Sequence, residues 1–215
     1  MSINKRGERV GERKTMRSGL LCEIVAYRSA VDMDVLFNCG AVKTGCRYGN
    51  FETGKISCPM TYVDIDDVSV LVTNHEIGFS FKIDKIDIHI IEGIRAHSHS
   101  RGYVCIRNHA FLHRLIMRPP KGFCVDHING DATDNRRCNL RLATNSQNGM
   151  NAGRRKDNRS GQKGVGWNKT LGVWTVRARA NNNYVMAKSF KNKEDAIKYY
   201  RQHIHDVHGE FSRIE

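Results

Sequence analysis

The sequence predicts an α+β protein with a small N-terminal β module, a central strand–loop–strand–helix unit and a C-terminal three-stranded sheet carrying one helix. Three observations lead there. Val31, Met33, Val35, Phe37 and Cys39 alternate with Asp32, Asp34, Leu36 and Asn38, the period-two pattern of a half-buried strand. Ile197, Tyr200, Ile204 and Val207 step by 3, 4 and 3, the stripe with which an amphipathic helix covers a sheet. Between them, the apolar run that starts at Phe123 delivers Asp126 and His127 to a loop, and Asn139 to Thr144 returns as a second strand. Thr144 with Gln147 three residues on then forms the capping box of a short helix.

Composition narrows the classes. The chain has 215 residues, 40% hydrophobic and 27% charged, with three prolines, the profile of a folded soluble protein and not of a disordered tail. No stretch approaches the roughly 18 apolar residues of a transmembrane helix. Met1 to Arg17 is charged throughout and lacks the apolar core of a signal peptide, so an intracellular protein is expected, with no membrane partner. Seven cysteines in a reducing compartment are expected to stay free. Thirty-five Lys and Arg against 22 Asp and Glu leave a net charge of +13. The excess is +4 over residues 1–59, +1 over 60–150 and +8 over 151–215. A strongly basic end beside a balanced middle predicts a polyanion-binding module next to a part with a different task.

Taken in order, residues 1–18 form a basic arm with Lys5, Arg6, Arg9, Arg13, Lys14 and Arg17 and almost no apolar content. Residues 19–59 form the small β module, punctuated by Gly45, Gly49 and Gly54 and closed by Pro59. Residues 60–152 make the central domain, whose strands are expected over 62–72, 78–83, 86–91 and 103–106, with His97 and His99 in a solvated loop. Residues 108–118 read as a helix capped by Asn108 and stopped by Pro119-Pro120. Residues 153–160 are a Gly/Asn/Arg/Lys-rich linker, and 161–215 hold the C-terminal sheet and helix. There Trp174, Val176, Ala178 and Ala180 share one strand face and Thr175, Arg177, Arg179 and Asn181 the other. Asn192 caps the helix with Glu194 and Asp195 in its first turn, and His203, His205 and His208 read as surface residues.

The segment Val125-Asp126-His127-Ile128-Asn129-Gly130-Asp131 carries the most specific signal. Leu112-His113-Arg114-Leu115-Ile116 precedes it, and Asp134-Asn135-Arg136, Asn139-Leu140-Arg141-Leu142-Ala143-Thr144 and Asn148 follow. Together these words resemble the His-Asn-His (HNH) endonucleases of ββα-metal fold, over roughly residues 103–151. They are most similar to the phage and mobile-intron homing endonucleases in which the last histidine is an asparagine. The resemblance implies a ββα-metal nuclease in which Asp126 and Asn148 bind one divalent cation, His127 is catalytic, and Asn139 holds the loop and orients His127. A carboxylate and a carboxamide oxygen suit Mg²⁺, with Mn²⁺ as the alternative. An imidazole can accept the proton of the attacking water. Spacing argues against a calcium loop, which lacks its closing Glu, and against zinc, which lacks a C-x₂-C pair. His113 is expected to pack near the site.

Asn158-Arg159-Ser160-Gly161, Lys163-Gly164-Val165, Trp167, Trp174, Phe190, Glu194-Asp195-Ala196 and Gly209-Glu210-Phe211 resemble the AP2-type DNA-binding domain. That likeness implies a sheet laid in the major groove of double-stranded DNA, with Arg177 and Arg179 on the reading face and Lys163, Lys169 and Lys188 adding charge. Arg141 is a further candidate DNA contact. Residues 19–59 resemble a β-rich module found beside phage nucleases. The whole implies a homing-type endonuclease of a phage or mobile element, a monomer or weak dimer acting in a bacterial cytoplasm. The competing expectations are a non-catalytic DNA-binding regulator on a nuclease scaffold and a binder of structured RNA.

Overall fold

The computed structural model describes residues 9–106 and 110–214; Lys5 and Arg6 of the basic arm, and the expected cap Asn108, lie outside them. Contacts divide the chain into two units, Met1–Leu112 with Thr133–Arg136, and His113–Ala132 with Arg137–Glu215.

In the first unit, β1 (Arg13–Thr15), β2 (Leu21–Ser29), β3 (Asp32–Phe37) and β4 (Val42–Cys46) form an antiparallel sheet in that order. The alternation of β3 does what its period requires. Met33, Val35 and Phe37 are buried with Cys22 and Ile24, while Asp32 and Asp34 face outward and share the guanidinium of Arg28. The arm is not wholly outside the sheet, because Arg13 pairs with Glu23 across β1 and β2 and makes an ion pair with it at 2.7 Å. A short helix, α1 (Tyr48–Glu52), stands where glycines alone suggested turns, and buries Phe51.

A second sheet has the order β5 (Thr61–Asp64), β6 (Ser69–Asn74), β7 (Phe79–Asp84). The expected run 62–72 is thus broken by a turn, in which the Asp66 carboxylate accepts from the amides of Val68 and Ser69. Val70 faces Ile83 and Val72 faces Phe81, all four buried. The strand expected over 86–91 is instead a 3-10 helix, Lys85–Ile90. Ile86 there is 74% exposed while Asp87 is buried, so the run has no single apolar face to lay on a neighbour. Residues Thr133–Arg136 run along β7: the Lys82 amide donates to Thr133 O and Asn135 N–H donates to Lys82 O, each at 2.9 Å. β8 (His97–Ser98), β9 (Val104–Ile106) and β10 (Ala110–Phe111) form a small third sheet, so His97 pairs with Cys105 and is not in a free loop.

Within the helix expected over 108–118, Ala110–Phe111 form β10 and the helix itself is α2 (Leu112–Met117). The second unit then holds β11 (Cys124–His127), β12 (Leu140–Ala143) and α3 (Asn145–Asn151), a hairpin with a helix. The Thr144–Gln147 capping box forms in both directions at the start of α3. A sheet of β13 (Val165–Asn168), β14 (Val173–Ala180) and β15 (Asn183–Phe190) follows, covered by α4 (Lys193–His208) and ended by a 3-10 turn, Gly209–Phe211. Val165, Val176, Ala178 and Met186 meet Ala196, Tyr200 and Ile204 in its core. Gly164 has φ +75°, and a Cβ there would strike the buried Tyr200 ring, so this close approach needs glycine. Ala143, Met150 and Phe211 form a further cluster that packs the last turn against β12 and α3.

Candidate active site and nucleic-acid face

The hairpin places its chemistry by register. Asp126 lies directly opposite Arg141, and His127 opposite Leu140. Direct cross-strand partners are close enough to pair. Arg141 Nε donates to Asp126 Oδ2 at 2.8 Å, and Nη2 stands 2.8 Å from the same oxygen. The other support comes from α3. Asn151 Nδ2 lies 3.0 Å from each carboxylate oxygen of Asp126 and 2.9 Å from the carbonyl of His127. Asp126 is only 5% exposed, and a polar group so buried needs hydrogen-bond partners of this kind.

His127 follows Asp126 as the last residue of β11 and is itself buried. The ring of His113, from α2, meets it edge to face, with centroids 5.0 Å apart. Burial pushes the His113 pKa down to about 4, and the nearby His127 adds to the shift. A neutral His113 therefore packs against His127 without adding charge. Asn139 pins the loop that follows His127: its backbone carbonyl accepts from Ile128 N–H at 2.9 Å and its side-chain oxygen from Asn129 N–H at 3.0 Å. The turn continues with Gly130 N–H donating to His127 O at 2.8 Å.

Asn148 lies in the first turns of α3, half-buried, on the helix that packs against β11. It is three residues from Asn151, and residues at that spacing share a helix face. The α3 side chain that reaches Asp126 is Asn151, which the motif did not single out. The i, i+3 spacing from Asn148 was its one trace in the sequence.

The six basic residues expected on DNA take different places. Arg177 and Arg179 are exposed on the β14 face opposite Val176 and Ala178, and Arg179 Nη2 donates to the exposed Tyr184 OH at 2.7 Å, with its guanidinium over that ring. Lys169 is exposed in the turn between β13 and β14. Lys188 stands on the other face: it pairs with Val176, on the side that α4 covers, and its Nζ lies 4.5 Å from the centre of the Tyr199 ring. Met186 and Phe190, apolar at two residues either side, are the sequence signal for that face. Lys163 turns inward and donates to the carbonyls of Gly149, Met150 and Ala152 at the end of α3, and burial pushes its pKa down to about 8. Arg141 faces Asp126. His208, expected at the surface, is buried and bonds through Nε2 to Arg179 O.

Residues 111–150, which contain this hairpin and most of α3, match the HNH endonuclease family. The chain thus carries an HNH endonuclease domain within a mixed α+β fold. Over 122 residues it is 30% identical to Protein 3.8 of Escherichia phage T7, in an alignment that takes in 54% of this chain and 97% of the phage protein, and it belongs to the same family as that protein. No solved structure matches it. Among the described residues, no helix is long and apolar enough to cross a membrane.

Proposed function

We propose that this protein is a divalent-metal-dependent endonuclease of homing type, which binds double-stranded DNA and hydrolyses one phosphodiester at a preferred site. The observation that carries the reading is the placement of Asp126 and His127 as the last two residues of β11, with Asn139 pinning the loop behind them and α3 packed on the same strand.

Among the described residues no three His, Cys, Asp or Glu side chains gather as a ligand set. The donors on offer are the carboxylate of Asp126 and the amide oxygen of Asn148, on elements in contact with each other. A hard cation that keeps most of its waters, Mg²⁺ or Mn²⁺, fits such a sparse oxygen set. When bound, it would supply Lewis-acid relief of the charge on the leaving 3′ oxygen. His127 accepts a proton from the attacking water as its oxygen bonds to phosphorus and the P–O3′ bond breaks; the departing 3′ oxygen takes a proton from solvent, leaving a 5′ phosphate and a 3′ hydroxyl as the resemblance implies. Neutral His113 and the Asn139-pinned loop fix its ring. Arg177 and Arg179, beside Tyr184, meet the duplex as the exposed face of an AP2-like sheet, with Lys169 on the backbone. The setting is a phage or mobile element acting in a bacterial cytoplasm, and a monomer or weak dimer accounts for a single centre that cuts one strand per visit.

Plasmid nicking in Mg²⁺ tests the reading. His127→Ala should lower the rate by about 10²- to 10⁴-fold while DNA binding persists. A wild-type protein that binds its own target but never cuts it would make the chain a DNA-binding regulator on a nuclease scaffold.

A further inference from the structure

We propose that Arg141 is a positioning residue of the nuclease centre, not a grip on DNA, and that the C-terminal turn Gly209–Phe211 is the clamp that holds it. The inference rests on the nuclease reading above. Both edges of the guanidinium are occupied. Nε and Nη2 address Asp126 Oδ2 at 2.8 Å each, and Nη1 donates to Glu210 O at 2.7 Å. One flat face lies over the Phe211 ring, 3.8 Å from its centre. The side chain is only 12% exposed. A planar fork held at both edges and on one face is fixed in orientation, which lysine or an aliphatic chain cannot reproduce. A phosphate contact would need the guanidinium turned outward, whereas Nε and Nη1 are bonded inside the unit and Nη2 is buried against the carboxylate.

The consequence lies in how the carboxylate is shared. Oδ2 receives Arg141 and Asn151, whereas Oδ1 receives Asn151 alone. Arg141 therefore holds one oxygen and leaves the other as the one with ligating capacity to spare. The hold originates far along the chain, because Gly209–Phe211 directly follows α4, the helix that covers the basic sheet, and Phe211 is buried against Ala143 and Met150. The last turn of the C-terminal segment is thus part of the nuclease centre, and that centre is incomplete without it.

The test uses the full chain with Arg141→Met, Arg141→Lys, Phe211→Leu and the Met/Leu double variant, each checked for folding by thermal melting. Phe211→Leu keeps an apolar side chain in the cluster and removes only the aromatic face. Nicking in Mg²⁺ is resolved into kcat and KM on a duplex that the wild type cuts, and DNA affinity is measured separately in EDTA. Arg141→Met should lower kcat by about 10²-fold, the scale of a misplaced reacting group, with KM and EDTA affinity within twofold of wild type. Arg141→Lys should recover part of kcat, and Phe211→Leu should lose less than Arg141→Met. The double variant should be no worse than Arg141→Met alone, since both changes break one linkage. Loss of EDTA affinity with kcat intact would make Arg141 a DNA contact and overturn the proposal. So would an active wild type whose kcat is indifferent to Arg141→Met. If the wild type cuts no DNA at all, the nuclease reading fails and takes this one with it.

Discussion

Asp126, His127 and His113 show how one small centre sets its own charges. Asp126 is buried but supplied with donors from Arg141 and Asn151. His113 is buried beside another imidazole and is held neutral, with a pKa near 4 in place of 6.5. Burial lowers His208 as well. In the unfolded chain both histidines titrate near 6.5, so below that pH the unfolded state binds more protons than the folded one. Stability is then full above pH 6.5 and falls as the pH drops, and the His113 share of the fall is complete near pH 4. Urea midpoints measured from pH 7 to pH 4 should decline, and His113→Phe should flatten part of that decline. An identical slope in the variant would show that His113 is not protonated differently on unfolding.

At the scale of elements, the decisive device is the join between β12 and α3. Thr144 ends the strand and begins the helix, its side chain accepting from Gln147 N–H while the Gln147 side chain accepts from Thr144 N–H. A seven-residue helix is too short to hold itself by backbone bonds alone, so its caps and packing decide whether it forms. Lys163 serves the other end, donating to the last carbonyls of α3. Since α3 carries both Asn148 and Asn151, the caps position the centre as much as they stabilise it. Thr144→Ala should cost about 1 kcal/mol in urea unfolding. Thr144→Ser, which keeps the acceptor, should cost only a fraction of that, and equal losses for the two would place the effect in packing.

Across the whole molecule, charge and chemistry are separated along the chain. The +8 excess of residues 151–215 does not all face one way, since Lys163 turns inward to cap a helix and the exposed Lys188 lies over aromatic rings on the α4 side. The outward remainder on β14 is Arg177 and Arg179, with Lys169 in the adjoining turn. Their contributions to DNA binding should differ in kind. Arg177→Ala should weaken the preferred site by about 1–3 kcal/mol and relax sequence preference, whereas Lys169→Ala should weaken all duplexes alike and reduce the salt slope by about one. Titrations at several salt concentrations on target and random duplexes separate these outcomes, and equal loss on both duplexes for Arg177→Ala would exclude base reading.

The nuclease hairpin, its helix start and the alternation of β3 were legible because each is local: strand period, capping box and motif spacing all act within a few residues. The face occupied by Lys188 was legible too, through Met186 and Phe190, although charge alone pointed the other way. The sequence by itself determined which residue types meet in the strand–loop–strand–helix unit. Only the tertiary structure decided what holds Asp126. Asn151 is 25 positions away from it and Glu210 is 69 from Arg141, separations at which no periodicity relates two residues. The same reason governs Lys163, Phe211 and His208. Their partners come from elements that become neighbours only when the sheet, its covering helix and the hairpin pack together.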